Sequence, residues 1–369
     1  MSSSADNIGK DRILSIDALR GFDMFLIIGG GTFIQRILNL IDTPVTRAIT
    51  HQMHHPQWHG FTSWDLIFPL FLFLVGTSIP LSLDKRLARG TSQRDIISHV
   101  LKRSLILYFF GMVMEAGRID ALGGLRYTGV LHRIAFCYCC TSFIVMKTTI
   151  RGQVIWIVSL LTGYWLVMRY VPVPGHGAGV FTPEGNVASY LDRLMQPGAL
   201  RTELFDNEGF LSTFPAIATT LMGSVSGWWL NSSRDGTAKT AVLAATGTGL
   251  IVSGLMWGLI FPINKLLWTS SFALLTGGMC MCLLALFYWV IDIKRYRRWA
   301  FPLVVIGMNA LTIYIAGALF DFGRIVNVFT YEFIGQLGPY KPVVFSGCVL
   351  AVKWIFLYVL YRKRIFLKA

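Results

Sequence analysis

Charged residues are scarce in this sequence. Only 14% of its 369 residues are charged and 54% are apolar, whereas a soluble protein carries about 25% charged residues. Apolar stretches of roughly 17 to 25 residues recur along the whole chain, which is typical of polytopic α-helical membrane proteins. The composition therefore excludes an ordinary soluble domain and predicts an all-α integral membrane protein.

The sequence also lacks the motifs of metal, redox and ATP-driven proteins. Its six cysteines all lie within apolar stretches, including Cys137 and Cys140 at Cys-x-x-Cys spacing, and no second pair with this spacing is present, so we interpret them as small core residues. No Walker-type glycine-rich loop is present. We therefore expect no disulfide framework, no metal and no ATP-driven transport.

Acidic residues are few, at 19 against 33 basic residues, and the net charge is +14. About ten transmembrane helices, and at most eleven, are predicted, near residues 19–41, 65–83, 101–116, 128–147, 154–172, 210–231, 239–261, 268–291, 300–320 and 343–361. With a cytoplasmic N-terminus, cytoplasmic Lys and Arg outnumber outer ones by roughly two to one, as the positive-inside rule requires. The charge therefore indicates topology in a lipid bilayer, with both termini cytoplasmic, and not a nucleic-acid partner.

The chain divides into two unequal parts. Residues 1–12 are polar and predict a disordered cytoplasmic tail without a signal-peptide pattern, so the first helix should be retained. Residues 13–369 predict a single transmembrane domain. The apolar faces of its helices leave room for a homodimer.

Histidines are concentrated in one short segment. Four of the seven lie in residues 51–59, just before the second predicted span, and imidazole exchanges protons near neutral pH. Asp65 follows His55 by ten residues and is a candidate to orient its ring. We favour His55 as a catalytic base or acyl acceptor in an outer pocket.

Two alternatives for the histidine segment stay open. The first is a loop with incidental histidines. The second is a set of zinc ligands at helical spacing, His51, His55 and His59, although Pro56 would interrupt that helix.

Ionisable residues inside the predicted spans are few, and such residues tend to be functional or paired. Arg133 lies in the fourth span, and three pairs have i,i+3 spacing on a helix, each of which could be purely structural: Asp17–Arg20, Glu115–Arg118 and Asp321–Arg324. A long outer connection near 173–209 is rich in Gly and Pro and contains five carboxylates, including Glu208. Such a connection suits recognition of a polar substrate from outside.

Six segments together resemble the heparan-α-glucosaminide N-acetyltransferase family: 15–22, 55–79, 129–134, 207–217, 262–271 and 307–310. They occur in family order and span nearly the whole membrane region. The resemblance implies a transmembrane acyltransferase domain over 13–369 that takes acetyl from cytosolic acetyl-CoA. It passes the acetyl group to the amine of a glucosamine-type sugar on the far side. The match is to a bacterial type without the N-terminal luminal domain of lysosomal members, which implies a bacterial inner membrane.

The resemblance also implies site residues. The family's active histidine falls on His55, and its motif carboxylate beside it on Asp65. Residues expected to bind acetyl-CoA are Asp17, Arg20 and Arg133, while those expected to bind the acceptor are Trp58, His59, Glu208 and Asn309. The natural acceptor stays open, as does the choice between an acetyl-histidine intermediate and direct transfer. The competing hypothesis is a proton-coupled sugar or amino-sugar transporter.

Overall fold

The computed structural model describes residues 13–116 and 124–367, which are mostly helical. Within these ranges the helices are α1 (Leu14–Phe25), α2 (Gly31–Leu38), α3 (Pro44–Gln52), α4 (Ile67–Ala88), α5 (Gln93–Ala116), α6 (Val130–Lys147), α7 (Ile150–Tyr170), α8 (Val187–Met195), α9 (Thr213–Asn231), α10 (Gly236–Gly258), α11 (Ser270–Phe287), α12 (Phe301–Met308), α13 (Ala310–Leu319), α14 (Phe322–Gly335) and α15 (Lys341–Arg362). Strands β1 (Pro172–Val173) and β2 (Gly177–Ala178) form one antiparallel hairpin.

The predicted all-α membrane architecture is confirmed, but the count of ten spans is not. In the described ranges eight helical segments are long and apolar enough to cross a membrane: Leu14–Leu38, Ser63–Ala88, Gln93–Ala116, Val130–Lys147, Ile150–Tyr170, Gly236–Gly258, Ser270–Ile293 and Gly338–Arg362. A ninth results if α12 and α13, which are bent by 69° relative to each other, cross together. The span predicted over 210–231 corresponds to α9, which is not among these segments.

Helix α9 lies at the centre of the helical assembly and packs against α4, α6, α7 and α11. The crossing of α9 with α4 is close because a glycine of each helix faces the backbone of the other. A Cβ on Gly76 would lie 1.8 Å from the Thr220 carbonyl oxygen, and one on Gly223 would lie 1.9 Å from that of Phe73. Small residues at a helix crossing allow such close packing in membranes. The crossing fixes α4 and therefore the turn that precedes it.

The first predicted span is interrupted. Its three consecutive glycines, 29–31, predict either a break or tight packing, and the chain does break: Leu26–Gly30 forms a π-helical turn in which Gly29 has φ +128°. Only glycine adopts this conformation readily. Lys353 of α15 donates to the carbonyl of Ile28 at 2.7 Å, so a backbone acceptor at the break is satisfied.

Regions interpreted from sequence as plain connections contain ordered elements. Helix α3 lies in the connection before the second predicted span and ends at the start of the histidine segment, and the β-hairpin and α8 lie in the long outer connection. Side chains cap the N-termini of both helices. The Thr43 side chain accepts a hydrogen bond from the backbone amide of Thr46, and the Asn186 side chain accepts one from the backbone amide of Ser189. The predicted tail 1–12 lies outside the described residues, as does Arg118 of the predicted Glu115–Arg118 pair.

Candidate active site

His55 and Asp65 are in direct contact. A turn of 3₁₀ helix, Ser63–Leu66, precedes α4, and the Thr62 amide donates to Asp65 Oδ2 at 3.0 Å to close it. The other carboxylate oxygen, Oδ1, lies 2.6 Å from His55 Nδ1. Asp65 is completely buried, whereas the His55 side chain is 48% exposed. The contact expected from their spacing is therefore present, and the fold holds Asp65 rigidly for it.

The contact with Asp65 determines which nitrogen of His55 is available. An ionised carboxylate only accepts hydrogen bonds, so His55 Nδ1 carries the proton and donates a hydrogen bond to Asp65. The lone pair of the neutral ring is then on Nε2. His55 is thus arranged as a base or nucleophile through Nε2, with a carboxylate that stabilises the imidazolium.

Lys265 completes a three-residue cluster that the sequence did not predict. Its Nζ lies 3.1 Å from His55 Nε2 and 3.5 Å from Asp65 Oδ1. Burial lowers the pKa of Lys265, while the carboxylates of Asp65 and Glu208 act in the opposite direction. Lys265 is 210 positions from His55, so a single sequence gave no signal for the contact, although Lys265 lies in one of the six resembling segments.

His59 and Trp58 join loops near the cluster. The side-chain amide of Asn264 donates to His59 Nδ1 at 3.2 Å, and the backbone amide of Gly60 donates to the Ile263 carbonyl at 2.9 Å. Burial lowers the pKa of His59. Trp58 donates through Nε1 to the Phe181 carbonyl at 2.7 Å. These contacts hold the His55 and Lys265 loops together, and the structure places neither His59 nor Trp58 among the residues that line the cavity at His55.

The exposed side of His55 faces a cavity of about 370 Å³, which we call the histidine cavity. Its walls are mainly apolar and include Phe68, Phe71 and Trp268. Its polar lining is contributed by His55, Arg201, Asn207, Glu208 and Lys265. The expected acceptor residue Glu208 is therefore in the same cavity as His55.

A second cavity, of about 450 Å³, lies at the end of α4 that carries Lys85 and Arg86, and we call it the basic cavity. Its charged lining is mostly cationic: Asp17, Arg20, Lys85, Arg86 and Arg103. Arg20 contacts Asp17 at 3.2 Å and donates to Ser78 Oγ at 2.7 Å. Such a cationic lining favours phosphate groups.

Asn309 lines the basic cavity and not the histidine cavity. It is the residue at which α12 and α13 meet, and it is 2% exposed. Within the described residues neither atom of its side-chain amide has a hydrogen-bond partner. Because unpaired buried amides are costly, this group is suited to bind a polar ligand in the basic cavity.

The two cavities meet. Phe71 of α4 and Leu131 and Ile134 of α6 line both of them. These apolar side chains form the boundary between a cationic compartment and a compartment that contains His55. A ligand with a phosphorylated head and a thin arm could occupy both compartments.

Arg133 lies apart from Asp17 and Arg20. It is fully buried, donates to Ser212 Oγ, and its guanidinium lies 5.1 Å from the centre of the Trp268 ring. It is not among the residues that line the basic cavity. Arg133 therefore supports Trp268, a wall of the histidine cavity, from behind.

A buried ion cluster adjoins the histidine cavity and was not predicted. Arg126 donates through Nε to Asp206 at 2.8 Å and through Nη2 to Glu208 at 2.5 Å. Burial disfavours the charged forms of both side chains, but their ion pairing outweighs this effect. The pKa of Arg126 is therefore raised and that of Asp206 is lowered. Beside this cluster is a cavity of about 210 Å³, the acidic side cavity, which shares Arg201, Asn207 and Glu208 with the histidine cavity.

The alternative of helical zinc ligands is wrong in its geometry. Helix α3 ends at Gln52, so His51 lies at its end while His55 and His59 lie in the loop beyond. Across residues 13–116 and 124–367 no group of three or more His, Cys, Asp or Glu side chains is arranged to hold a metal ion.

Comparison with known proteins identifies similar sequences. Residues 12–126 match a family described as a domain of unknown function (DUF5009). The chain is 26% identical to heparan-alpha-glucosaminide N-acetyltransferase of Homo sapiens and to the protein of the same name of Mus musculus. Each match covers 97% of this chain and 60% of the relative.

The chain thus spans somewhat less than two thirds of the length of these relatives. Their names describe N-acetyltransferases, which are acyltransferases, and lend no support to the transporter hypothesis. The resemblance found in the sequence is confirmed: over nearly its whole length this chain is similar to the heparan-alpha-glucosaminide N-acetyltransferases.

Proposed function

We propose that this protein is a transmembrane N-acetyltransferase that moves acetyl from acetyl-CoA to the amine of an amino sugar. The observation that carries the proposal is the His55–Asp65 pair in a cavity that shares Phe71, Leu131 and Ile134 with a cationic cavity. The names of the two relatives supply the reaction and the acceptor class.

In this proposal acetyl-CoA binds in the basic cavity. Its phosphates lie near Arg20, Lys85, Arg86 and Arg103, which line that cavity. The pantetheine arm passes Phe71 and brings the thioester towards His55. The unpaired amide of Asn309 then binds a polar group of the donor, which assigns Asn309 to the donor side and not to the acceptor.

The acceptor amine reaches His55 as an ammonium ion and must lose a proton before it attacks. His55 Nε2 either removes this proton for direct attack on the thioester or first accepts the acetyl group itself. Asp65 stabilises the imidazolium in both cases because Oδ1 remains bonded to Nδ1. An acetyl-imidazole trapped by acid quench in the absence of acceptor distinguishes the two routes.

The acceptor enters through the acidic side cavity. Glu115 and Glu208 line it beside Arg126 and Arg201, and Asp206 binds Arg126. Three carboxylates against two guanidinium groups favour a cationic substrate. Glu208 lines both the side cavity and the histidine cavity, so it is the residue we assign to the sugar ammonium.

The proposed orientation follows from the position of the cations. The basic cavity faces the cytoplasm, both termini are cytoplasmic, and His55 faces outward, in a bacterial cell across the inner membrane. The homodimer stays a prediction, which mass photometry of the detergent-solubilised protein tests.

Acetyl transfer from radiolabelled acetyl-CoA to glucosamine by the purified protein tests the function. We expect labelled N-acetylglucosamine with the wild type and with His54→Ala, an exposed neighbour that serves as the matched control. We expect none with His55→Ala. Full activity in His55→Ala would remove His55 from the chemistry, and absence of both transfer and acetyl-CoA binding in the wild type would contradict the proposal.

A further inference from the structure

The amine of Lys265 occupies the position that an acceptor amine needs. Its Nζ lies 3.1 Å from His55 Nε2, the nitrogen left free by the bond of Nδ1 to Asp65. A general base must lie within hydrogen-bond reach, about 2.6 to 3.2 Å, of the amine that it deprotonates. Lys265 also lines the histidine cavity, into which the thioester is proposed to extend.

Lys265 is also suited to act as a nucleophile. Only the neutral amine attacks a thioester, and burial lowers the pKa of Lys265 so that the neutral form is more accessible than for a surface lysine. His55 Nε2 is placed to take the proton that the ammonium form must lose. The same base that serves the acceptor therefore serves this side chain.

We propose that Lys265 is an acetylation site of the enzyme itself, and that it accepts acetyl when the donor is bound and the acceptor is absent. This inference rests on the proposed function. The lysine nitrogen forms an amide bond to the acetyl carbon, the carbon–sulfur bond of the thioester breaks, and the coenzyme leaves as its thiol. The proton lost from nitrogen passes through His55 to the thiolate.

The modification has a consequence for turnover. An acetylated Lys265 carries no positive charge next to Asp65, which it now approaches to 3.5 Å, and its amide fills space beside His55 Nε2. A chemically stable amide does not transfer its acetyl onward. Acetyl-CoA without acceptor should therefore inactivate the protein slowly, and an amino sugar should protect it.

Another lysine of the chain is a matched control. The Nζ of Lys353 is also inside the molecule, but it donates to the Ile28 carbonyl at 2.7 Å and lies over the Phe322 ring. It lines a different cavity, with Gly29 and Arg36. It should remain unmodified under conditions that acetylate Lys265.

The experiment incubates the purified full chain with ¹³C₂-acetyl-CoA and no sugar. Intact mass and peptide mapping then follow the label, and hydroxylamine removes any acetyl-imidazole before analysis. We expect about one stable acetyl group per chain on Lys265, lost in Lys265→Arg, retained in Lys353→Arg, and formed about 100-fold more slowly in His55→Gln. Glucosamine should slow the labelling, and residual transferase activity should fall in proportion to the label.

Two results would overturn the inference: a protein that acetylates glucosamine but gains no stable label on Lys265, or a label that is equal in the wild type and Lys265→Arg. Peptide mapping of the wild type decides the matter even if Lys265→Arg does not fold. A protein that neither transfers acetyl nor binds acetyl-CoA would overturn the proposed function together with this inference.

Discussion

Two buried ion clusters lie on either side of the histidine cavity, and they differ in how much freedom they leave their members. In the first, Arg126 is enclosed by Asp206 and Glu208, and its side chain is 3% exposed. In the second, Asp65 is equally buried, but the ring of His55 remains about half exposed and faces a cavity. Both clusters contain a carboxylate that lies deep in the protein.

The difference separates a structural cluster from a chemical one. The guanidinium of Arg126 holds the 206–208 segment against the chain before α6, and its strong pairing leaves it no proton to exchange. Asp65 holds His55 through Nδ1 only, so Nε2 faces Lys265 and the cavity. We therefore expect changes at Arg126 and Asp206 to act on folding and changes in the second cluster to act on turnover, whereas Glu208 belongs both to the first cluster and to the proposed acceptor site.

The largest expected effect is that of His55→Gln on turnover. Removal of the group that accepts the proton or the acetyl should lower kcat by about 100- to 10,000-fold, while glutamine keeps a polar side chain. Binding of CoA should be nearly unchanged, because the cations lie in the other cavity. Single-turnover kinetics and CoA titration on the same sample measure both quantities, and a kcat within threefold of the wild type would refute the assignment.

The two clusters are compared directly by matched carboxylate-to-amide changes. Asp206→Asn leaves Arg126 buried with less compensating charge and should cost about 3–5 kcal/mol of stability. Asp65→Asn should cost about 1 kcal/mol, since the amide oxygen can still accept a hydrogen bond, but should abolish most of the activity. Thermal unfolding in detergent measures the first effect and acetyl transfer the second. Equal stability losses would erase the proposed distinction.

The sequence predicted the His55–Asp65 contact because both residues lie in one short segment before α4, where ten residues suffice for a loop to return. It did not predict Lys265 or the Arg126 cluster, because those contacts join residues 80 or more positions apart. The expected role of Arg133 came from the resemblance, and the structure instead places its guanidinium behind Trp268. Local spacing thus predicted the central contact of the candidate site but not its surroundings.

Asp192 of α8 provides a further contrast, since it is a carboxyl that is only 2% exposed. Burial raises the pKa of Asp192 to about 7, although the Phe210 amide donates to it at 2.9 Å. Between about pH 4 and about pH 7 the folded state therefore keeps a proton on Asp192 that the unfolded chain has lost. Wild-type stability should fall as pH rises from about 4 to about 7, by up to about 1.4 kcal/mol per pH unit.

Asp192→Asn should remove that pH dependence. The amide imitates the protonated carboxyl, so the variant should match the wild type near pH 4 and exceed it in stability at pH 8. Melting temperatures at four or five pH values between 4 and 8 measure the effect. A constant difference between the two proteins across this range would show that Asp192 does not titrate as proposed.

The smallest expected effect concerns the basic cavity. Arg20→Gln removes one of several cations that line it and should weaken CoA binding about tenfold, near 1.4 kcal/mol, with kcat little changed at saturation. Its hydrogen bond to Ser78 suggests Ser78→Ala as the control for lost packing. An unchanged dissociation constant would remove Arg20 from the donor site.

The helix count shows a second limit of sequence reasoning. Asn309 interrupts the ninth predicted span, where α12 and α13 bend by 69°, yet the one proline of that stretch, Pro302, lies at the start of α12 and not at the bend. The bend brings the Asn309 amide to the basic cavity. A uniform apolar run predicts that a segment enters the membrane, but not how it bends there.

The most direct test of the account is acetyl transfer across a membrane. Vesicles containing the protein would hold radiolabelled acetyl-CoA on one side only and glucosamine on the other, with His55→Gln vesicles beside them. The account predicts labelled N-acetylglucosamine on the sugar side, dependent on His55. Product that forms only when both substrates are on the same side would contradict a path from the basic cavity to His55.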